Sequence, residues 1–172
     1  MFESDDDGIE YEHGECLIVR RSLFADLNPS DDNQRENLFH TRCTIRGKVC
    51  NMIIDGGSCC NIADLGMVNK LQLTTFNHPR PYKLQWMNNC GELKVVKQVN
   101  VTIKLGHYED TILCDVVPMQ ACHILLGCPW QFDRSVTHDG RINRHAFTFH
   151  GRKIVLKPMT PLEVVEDVTA QI

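Results

Sequence analysis

The stretch Met52-Ile53-Ile54-Asp55-Gly56-Gly57-Ser58 decides how the rest of this chain is interpreted. Three apolar residues, typical of a buried strand, lead directly to one carboxylate and a Gly-Gly turn. A carboxylate at the apolar end of a strand loses hydration, so it needs partners or serves acid-base chemistry. Asp55 is therefore the first candidate for a catalytic residue.

Two other Asp-Gly pairs occur in the chain, Asp7-Gly8 and Asp139-Gly140. Neither pair follows an apolar run, and both are typical of solvated turns. Asp55 is therefore the only Asp-Gly acid that the sequence places at the end of a buried strand.

Composition indicates one domain, or one domain with tails. A chain of 172 residues can bury roughly 68–70% of its unfolded surface. The formal charge is -4, but residues 1–15 contain seven acids and no Lys or Arg, which leaves fifteen acids against eighteen bases elsewhere. Neither part has the dense basic surface, interleaved with aromatic residues, that nucleic-acid recognition requires. We predict no direct nucleic-acid partner.

The cysteines indicate thiols rather than disulfides. Their number, nine, is odd, and none are spaced Cys-x-x-Cys. No apolar leader follows Met1, so we expect a reducing, cytoplasmic environment. We also expect no membrane partner, because no apolar run approaches the roughly 18 residues that a membrane span needs. Small buried apolar side chains are the expected role of Cys43, Cys50, Cys114 and Cys122.

The domain boundaries follow from shifts in composition. Residues 1–37 are predicted to be an acidic disordered head with a short strand near Cys16-Leu17-Ile18-Val19 and a linker. Residues 38–157 are the predicted folded domain, and residues 158–172 a flexible tail.

Inside the domain, patterns typical of strands dominate. Phe39 to Ile45 and Val49 to Ile54 predict a hairpin that turns at Arg46-Gly47 and ends at Asp55. Asn61 is expected to cap a short helix whose apolar residues include Ile62, Leu65, Val68 and Leu71.

Patterns typical of strands also dominate the second half of the domain. Alternating residues predict a second hairpin, with its tip at Asn88-Asn89-Cys90-Gly91. Pro129 suits the first turn of a second short helix. The remaining predicted strands are Glu92 to Val96, Val99 to Ile103, Thr111 to Val117, Phe147 to Phe149 and Lys153 to Leu156.

Three motifs in this order resemble one known family: Ile53 to Cys59, Pro81 to Gly91, and Ile124-Leu125-Leu126-Gly127 followed by Pro129-Trp130. The chain resembles the retropepsin-like aspartic proteases over about Leu38 to Leu156, and most closely the protease segment of gypsy-class retrotransposon polyproteins of plants. The resemblance implies an all-β acid protease barrel with one or two short helices, which is active as a homodimer.

The resemblance also implies roles for residues. Asp55 would be the catalytic acid, one from each chain, and the substrate a polypeptide, including the chain's own polyprotein. Ile124, Leu125, Leu126 and Gly127 would pack beneath the active-site loop. The loop would be completed by Gly56, Gly57 and Ser58, and a flap over the substrate would be formed by Trp86, Met87, Asn88, Asn89, Cys90 and Gly91.

Two residues depart from the family pattern. Gly56 stands where most members have Thr or Ser, whose hydroxyl links the two active-site loops. Cys128 stands where this type of element carries Arg, which helps to fix the dimer. The hydrogen bond lost at Gly56 is worth roughly 0.5–1.5 kcal/mol and two-fold symmetry makes the loss occur twice, so a weak or concentration-dependent dimer is expected. Ser58 is expected to bond the outer oxygen of Asp55.

Two other interpretations remain open at this point. The domain could be a catalytically inactive dimerisation or spacer module within a polyprotein. Eight His and nine Cys raise the possibility of a metal site, but neither His-Glu-x-x-His nor Cys-x-x-Cys occurs, so we predict no metal and no cofactor. His138 and Asp139 are more typical of a turn than of a hydrolase pair.

Overall fold

The computed structural model describes residues 8–14, 16–17, 38–85, 92–160 and 163. These residues form ten strands and two short helices. The strands are β1 (Phe39–Ile45), β2 (Lys48–Ile54), β3 (Ile62–Asp64), β4 (Thr75–Gln85), β5 (Glu92–Leu105), β6 (Tyr108–Val117), β7 (Ile124–Leu126), β8 (Thr137–Asp139), β9 (Arg144–Phe149) and β10 (Arg152–Leu156), and the helices are α1 (Leu65–Lys70) and α2 (Cys128–Asp133).

The predicted first hairpin is confirmed. β1 and β2 pair antiparallel in an unbroken register from Phe39–Ile54 to Ile45–Lys48. Arg46 and Gly47 both have positive φ angles, 50° and 76°, as a two-residue type I′ turn requires. This hairpin delivers the end of β2 to the Asp55 loop.

Seven strands form one sheet in the order β1-β2-β7-β3-β6-β5-β4. β1 also pairs with β5 at Thr44 and Lys104, so the sheet curls back on itself into a barrel. β8, β9 and β10 form a second, three-stranded antiparallel sheet. The prediction of a mainly β fold with one or two short helices is confirmed.

The core lies inside this barrel and beneath the second sheet. Trp130, Tyr108 and Phe147 form edge-to-face contacts, with ring centroids 5.0–5.4 Å apart. Cys43, Cys50, Cys114 and Cys122 are buried, as the sequence predicts. Within the described part of the chain, no helix is both long and apolar enough to cross a membrane.

The predicted start of the first helix is wrong. Residues 62–64 extend as β3, which pairs with β6 and β7, and the helix begins only at Leu65. Asp64 is the N-cap, and its carboxylate accepts a bond from the Met67 N–H at 3.2 Å. The side chain of Asn61 does not cap the helix, because its Oδ1 accepts bonds from the backbone N–H groups of Gly127 and Trp130.

The predicted break between two strands after Val96 is also wrong. β5 is one strand of 14 residues. Its polar middle section stays in the sheet because it has neighbours on both sides: Gln98 pairs with Phe76 of β4 and with Asp115 of β6. Side-chain polarity therefore marks a solvated face here, and not a loop.

Short segments outside residues 38–157 pack on the domain. In the predicted head, the Ile9 N–H donates to Val155 O at 2.7 Å and the Leu17 N–H to Val49 O at 2.6 Å. In the predicted tail, Met159 is buried and its N–H donates to His40 O at 2.7 Å. Leu17 and Met159 are buried and Ile9 is partly buried, so each of these short segments packs on the domain through an apolar side chain. The predicted boundaries themselves remain predictions.

An ion pair fixes α2 to β6. Arg134 donates two bonds to the buried carboxylate of Asp110, from Nε at 2.7 Å and from Nη2 at 2.8 Å. The Tyr108 hydroxyl donates to the same carboxylate at 2.6 Å, and the Trp130 indole N–H donates to that hydroxyl at 3.3 Å. The bidentate geometry and the added hydroxyl bond compensate the burial of the charge.

His145 is a buried imidazole between the two sheets. It lies edge-on to Phe39, with ring centroids 4.6 Å apart, and stacks on His138 at 4.3 Å. Burial, with a smaller effect from His138, lowers the pKa of His145 to about 4. The imidazole is therefore neutral in the folded chain at pH values where an unfolded chain binds a proton.

We predict that His145 weakens the fold as the pH falls from about 6.5 to about 4. In that window the unfolded chain takes up a proton that the folded chain does not, which lowers the free energy of unfolding by on the order of 2 kcal/mol. Below the pKa of His145 in the folded chain, the free energy of unfolding does not fall further from this cause. Urea denaturation at pH 7, 5.5 and 4 should show a shallower pH dependence for His145→Phe, while His107→Gln, at an exposed turn, keeps the original slope. Equal slopes for all three proteins would contradict the assignment.

Candidate active site

Asp55 lies at the carboxyl end of β2, where two central strands run side by side. β2 and β7 pair in parallel, with Met52 opposite Ile124 and Ile54 opposite Leu126. The Asp55 N–H continues this ladder and donates to Leu126 O at 2.9 Å. Residues Ile124 to Gly127, which the resemblance places beneath the Asp55 loop, thus include the strand that pairs with β2.

The turn after β2 orients the carboxylate. The Gly57 N–H donates to Asp55 Oδ1 at 2.9 Å, and the Ser58 N–H donates to Asp55 O at 3.1 Å. Asp55 is half-buried, while Gly56 and Gly57 are exposed. The carboxylate is therefore held by its own loop and also accessible from outside the chain.

Ser58 does not make the expected bond to Asp55. Its hydroxyl donates to Cys60 O at 2.8 Å, and its own carbonyl accepts a bond from the Cys128 N–H at 2.7 Å. The turn carries the Ser58 side chain back toward Cys60. Ser58 therefore shapes the loop and joins it to the start of α2.

Asn61 is a structural residue of the site that the sequence analysis placed in a different role. Its Oδ1 accepts bonds from the N–H groups of Gly127 at 2.9 Å and Trp130 at 3.3 Å, and its Nδ2 donates to Leu113 O at 3.3 Å. A buried Asn can satisfy several backbone groups in this way. No motif marked this function, because the partners lie more than fifty residues away in sequence.

At Gly127, the backbone that follows β7 lies directly against the backbone of residues 58–60. A Cβ at this position would overlap the carbonyl oxygen of Cys60 and would lie 2.7 Å from that of Ser58. Both neighbours are backbone atoms, so neither can move without displacing the loop. Only glycine fits here.

Gly56 is under a weaker constraint. A Cβ there would lie 2.8 Å from Oε1 of Gln131, which is the far end of a flexible side chain. The loop can therefore accept a Ser or Thr at this position if Gln131 changes rotamer. The backbone does not explain why the chain has glycine at position 56.

Of the remaining predicted site residues, some lie outside the described residues and others form a turn. Trp86, Met87, Asn88, Asn89, Cys90 and Gly91, the expected flap, lie outside the described residues. His138 and Asp139 bond to residues of their own turn, Asn143 at 2.8 Å and the Arg141 N–H at 3.0 Å, which agrees with the turn interpretation. Over the described ranges, no group of three or more His, Cys, Asp or Glu side chains forms a possible metal site.

Comparison with protein families supports the resemblance at the level of the protease domain. The model of the PEG10/RTL1 protease domain matches residues 51–150, which is more than half of the 172 residues. This chain belongs to the PEG10/RTL1 protease domain family. The matched range includes the Asp55 loop, β7 and α2, and so covers the whole site described above.

A solved structure supports the fold of this PEG10/RTL1 protease domain. The retroviral protease-like domain of Ddi1 from Leishmania major superposes with a TM-score of 0.52 at 14% sequence identity, covering 73% of this chain and 96% of that one. At this identity the likeness shows the fold alone, which is retropepsin-like. No curated protein sequence matches the chain.

We predict that Gly127→Ala destabilises this domain. The added methyl group forces the loop backbone away from β7, and such overpacking costs roughly 1–3 kcal/mol. Gly140→Ala is the matched control, because a Cβ at Gly140 meets nothing within 4 Å. Urea denaturation should show a lower midpoint for Gly127→Ala only. Equal midpoints for the two variants would show that the close contact is not a constraint.

Proposed function

We propose that this chain is an aspartic endopeptidase that acts as a homodimer, in which Asp55 of each chain forms half of a catalytic pair. Membership of a protease domain family and a retropepsin-like fold support the reaction class. The observation that carries the proposal is the Asp55 loop: one half-buried carboxylate at the end of a central strand, held by the Gly57 N–H and open on its outer side.

The need for two chains follows from the chemistry of the reaction. Hydrolysis of an amide requires a base to activate water and an acid to protonate the carbonyl oxygen, while residues 55–60 contain one acid. A second copy placed across a two-fold axis would supply the other carboxyl group from the same position. Catalysis would then require dimerisation.

The pair would work by sharing a proton. Two carboxyl groups about 3 Å apart do not both ionise, because like charges repel at that distance. The ionised Asp55 would take a proton from a water molecule between the two groups. The protonated Asp55 of the second chain would donate its proton to the scissile carbonyl oxygen, and the roles would reverse as the amine leaves.

The proposed substrate is an extended polypeptide within the polyprotein of a gypsy-class retroelement. The sequence motifs that support this class are Ile53 to Cys59, Pro81 to Gly91 and Ile124 to Trp130. An extended peptide binds by adding a strand to existing backbone, so side-chain pockets would set the preference for cleavage sites.

We predict that Asp55→Asn abolishes cleavage and that Asp139→Asn does not. The two residues are a matched pair, because each is an Asp-Gly acid whose Oδ1 accepts an N–H bond from the residue two positions on, at 2.9 Å for Asp55 and 3.0 Å for Asp139. Only Asp55 is in the proposed dyad. The measurement is turnover of a peptide library at acid pH and high protein concentration. Cleavage that survives Asp55→Asn would overturn the proposal.

We also predict that Cys128→Arg strengthens the dimer. Cys128 is exposed at the start of α2, and its N–H is bonded to the Asp55 loop, so a guanidinium there would lie beside the loop through which the proposed dimer forms. Charge-assisted bonds of this kind should lower the dissociation constant about tenfold. Sedimentation equilibrium is the measurement, with Cys128→Ser as the control that adds no charge. An unchanged constant for Cys128→Arg would count against this role.

An inactive dimerisation module is the second candidate function. It is favoured by Gly56 and Cys128, which both lack the group that the family pattern uses to join two chains. The library experiment separates the two candidates: cleavage that depends on Asp55 supports the enzyme, whereas dimers that cleave no peptide support the module.

A further inference from the structure

The side-chain amide of Gln131, on α2, lies over the glycine that follows the candidate catalytic acid. A Cβ at Gly56 would lie 2.8 Å from Gln131 Oε1 and 3.5 Å from both Cδ and Nε2 of the same side chain. The amide therefore occupies the space in which a side chain at position 56 would begin. Gly56 is exposed and Gln131 is half-buried, so the amide lies at the outer side of the Asp55 loop.

The backbone that carries this amide is fixed by the core of the domain. The Gln131 N–H donates to Gly127 O at 3.3 Å, and the Val136 N–H donates to Gln131 O at 2.9 Å. The preceding residue, Trp130, is 1% exposed, and its indole N–H donates to the Tyr108 hydroxyl at 3.3 Å. The position of Gln131 beside the Asp55 loop is therefore set by the fold, and only its side-chain rotamer is free to change.

The hydrogen-bonding capacity of this amide is not used within the described ranges of the chain. Neither Oε1 nor Nε2 of Gln131 forms a hydrogen bond there. The amide of Gln98, by contrast, is bonded inside the domain, because its Nε2 donates to Asp115 Oδ1 at 3.0 Å. An amide offers two N–H donors and one acceptor oxygen. Gln131 therefore presents both donor and acceptor atoms at the outer side of the Asp55 loop.

The proposed catalytic pair would place this amide where the two chains meet. The two Asp55 carboxyl groups would be about 3 Å apart, and the Cα of Gly56 is only about 3.8 Å along the backbone from that of Asp55. The amide over Gly56 would then lie next to the two-fold axis. A polar group that loses water at an interface needs a hydrogen-bond partner, and symmetry makes the contact reciprocal.

We propose that the Gln131 amide of each chain bonds the Asp55 loop of a second copy of the chain, and that Gly56 leaves the space for it. This contact rests on the proposed function, because it forms only where two Asp55 loops meet. Gln131 is a positioning residue, since it acts by holding the two loops together and not on the substrate. The contact also gives a reason for glycine at position 56, because a larger residue would displace the amide.

Loss of the Gln131 amide should weaken the dimer without weakening the fold of the single chain. Gln131→Ala removes the bond twice by symmetry, so the dissociation constant should rise about tenfold or more in sedimentation equilibrium. The urea midpoint, measured on dilute, monomeric protein, should stay as in the wild type. Gln98→Ala is the matched control: it removes an amide bonded to Asp115, so it should lower the midpoint and leave the dissociation constant unchanged.

A second substitution separates hydrogen bonding from packing. A serine at position 56 would place its hydroxyl in the space that the amide holds, because its Cβ alone would lie 2.8 Å from Gln131 Oε1. Gly56→Ser should therefore lower the dissociation constant about tenfold in the Gln131→Ala background, and should not lower it while Gln131 is present. A purely structural role of Gln131 would not produce this dependence on background.

Three results would overturn this role of Gln131. The first is an unchanged dissociation constant in Gln131→Ala, and the second is an equal effect of Gly56→Ser in both backgrounds. The third is a rise in KM at an unchanged dissociation constant, which would show that the amide contacts the peptide. Failure of the proposed function looks different: wild-type dimers that weaken in Gln131→Ala but cleave no peptide would remove the protease and retain the contact.

Discussion

The parallel contact between β2 and β7 is the constraint on which the rest of the site depends. It brings the Asp55 N–H within 2.9 Å of Leu126 O and places Gly127 directly against the carbonyl oxygens of the 58–60 loop. Parallel strands need a long connection between them, and here that connection contains α1 and the β4–β5–β6 meander. These intervening elements return one short apolar strand, β7, to the side of another, β2.

Much of this architecture could be predicted from the sequence, because its signals are local. The Arg46-Gly47 turn, the apolar run that ends at Asp55 and the helix start at Pro129 are each signalled by a few consecutive residues, and each was predicted correctly. The three motifs also predicted the retropepsin-like fold, which the Ddi1 domain shares, and a protease domain family, which matches residues 51–150. The plant gypsy class remains a proposal.

The parts that the sequence did not reveal depend on contacts between distant residues. Asn61 was assigned to a helix cap because it precedes apolar residues at helical spacing, yet its amide serves Gly127, Trp130 and Leu113. The section of β5 around Gln98 was divided because it is polar, although Asp115 and β4 hold it in the sheet. In both cases a tertiary partner determined the structure, and local propensity did not.

The central claim is that one active site needs Asp55 from two chains, and the stoichiometry of inhibition tests it most directly. A substrate-like peptide with a hydroxyethylene group in place of the scissile amide resembles the tetrahedral transition state and should bind tightly. Native mass spectrometry of the protein with this peptide should show two chains with one inhibitor, and Asp55→Asn should lose that species. Complexes of one chain with one inhibitor, or of two chains with two, would contradict the account.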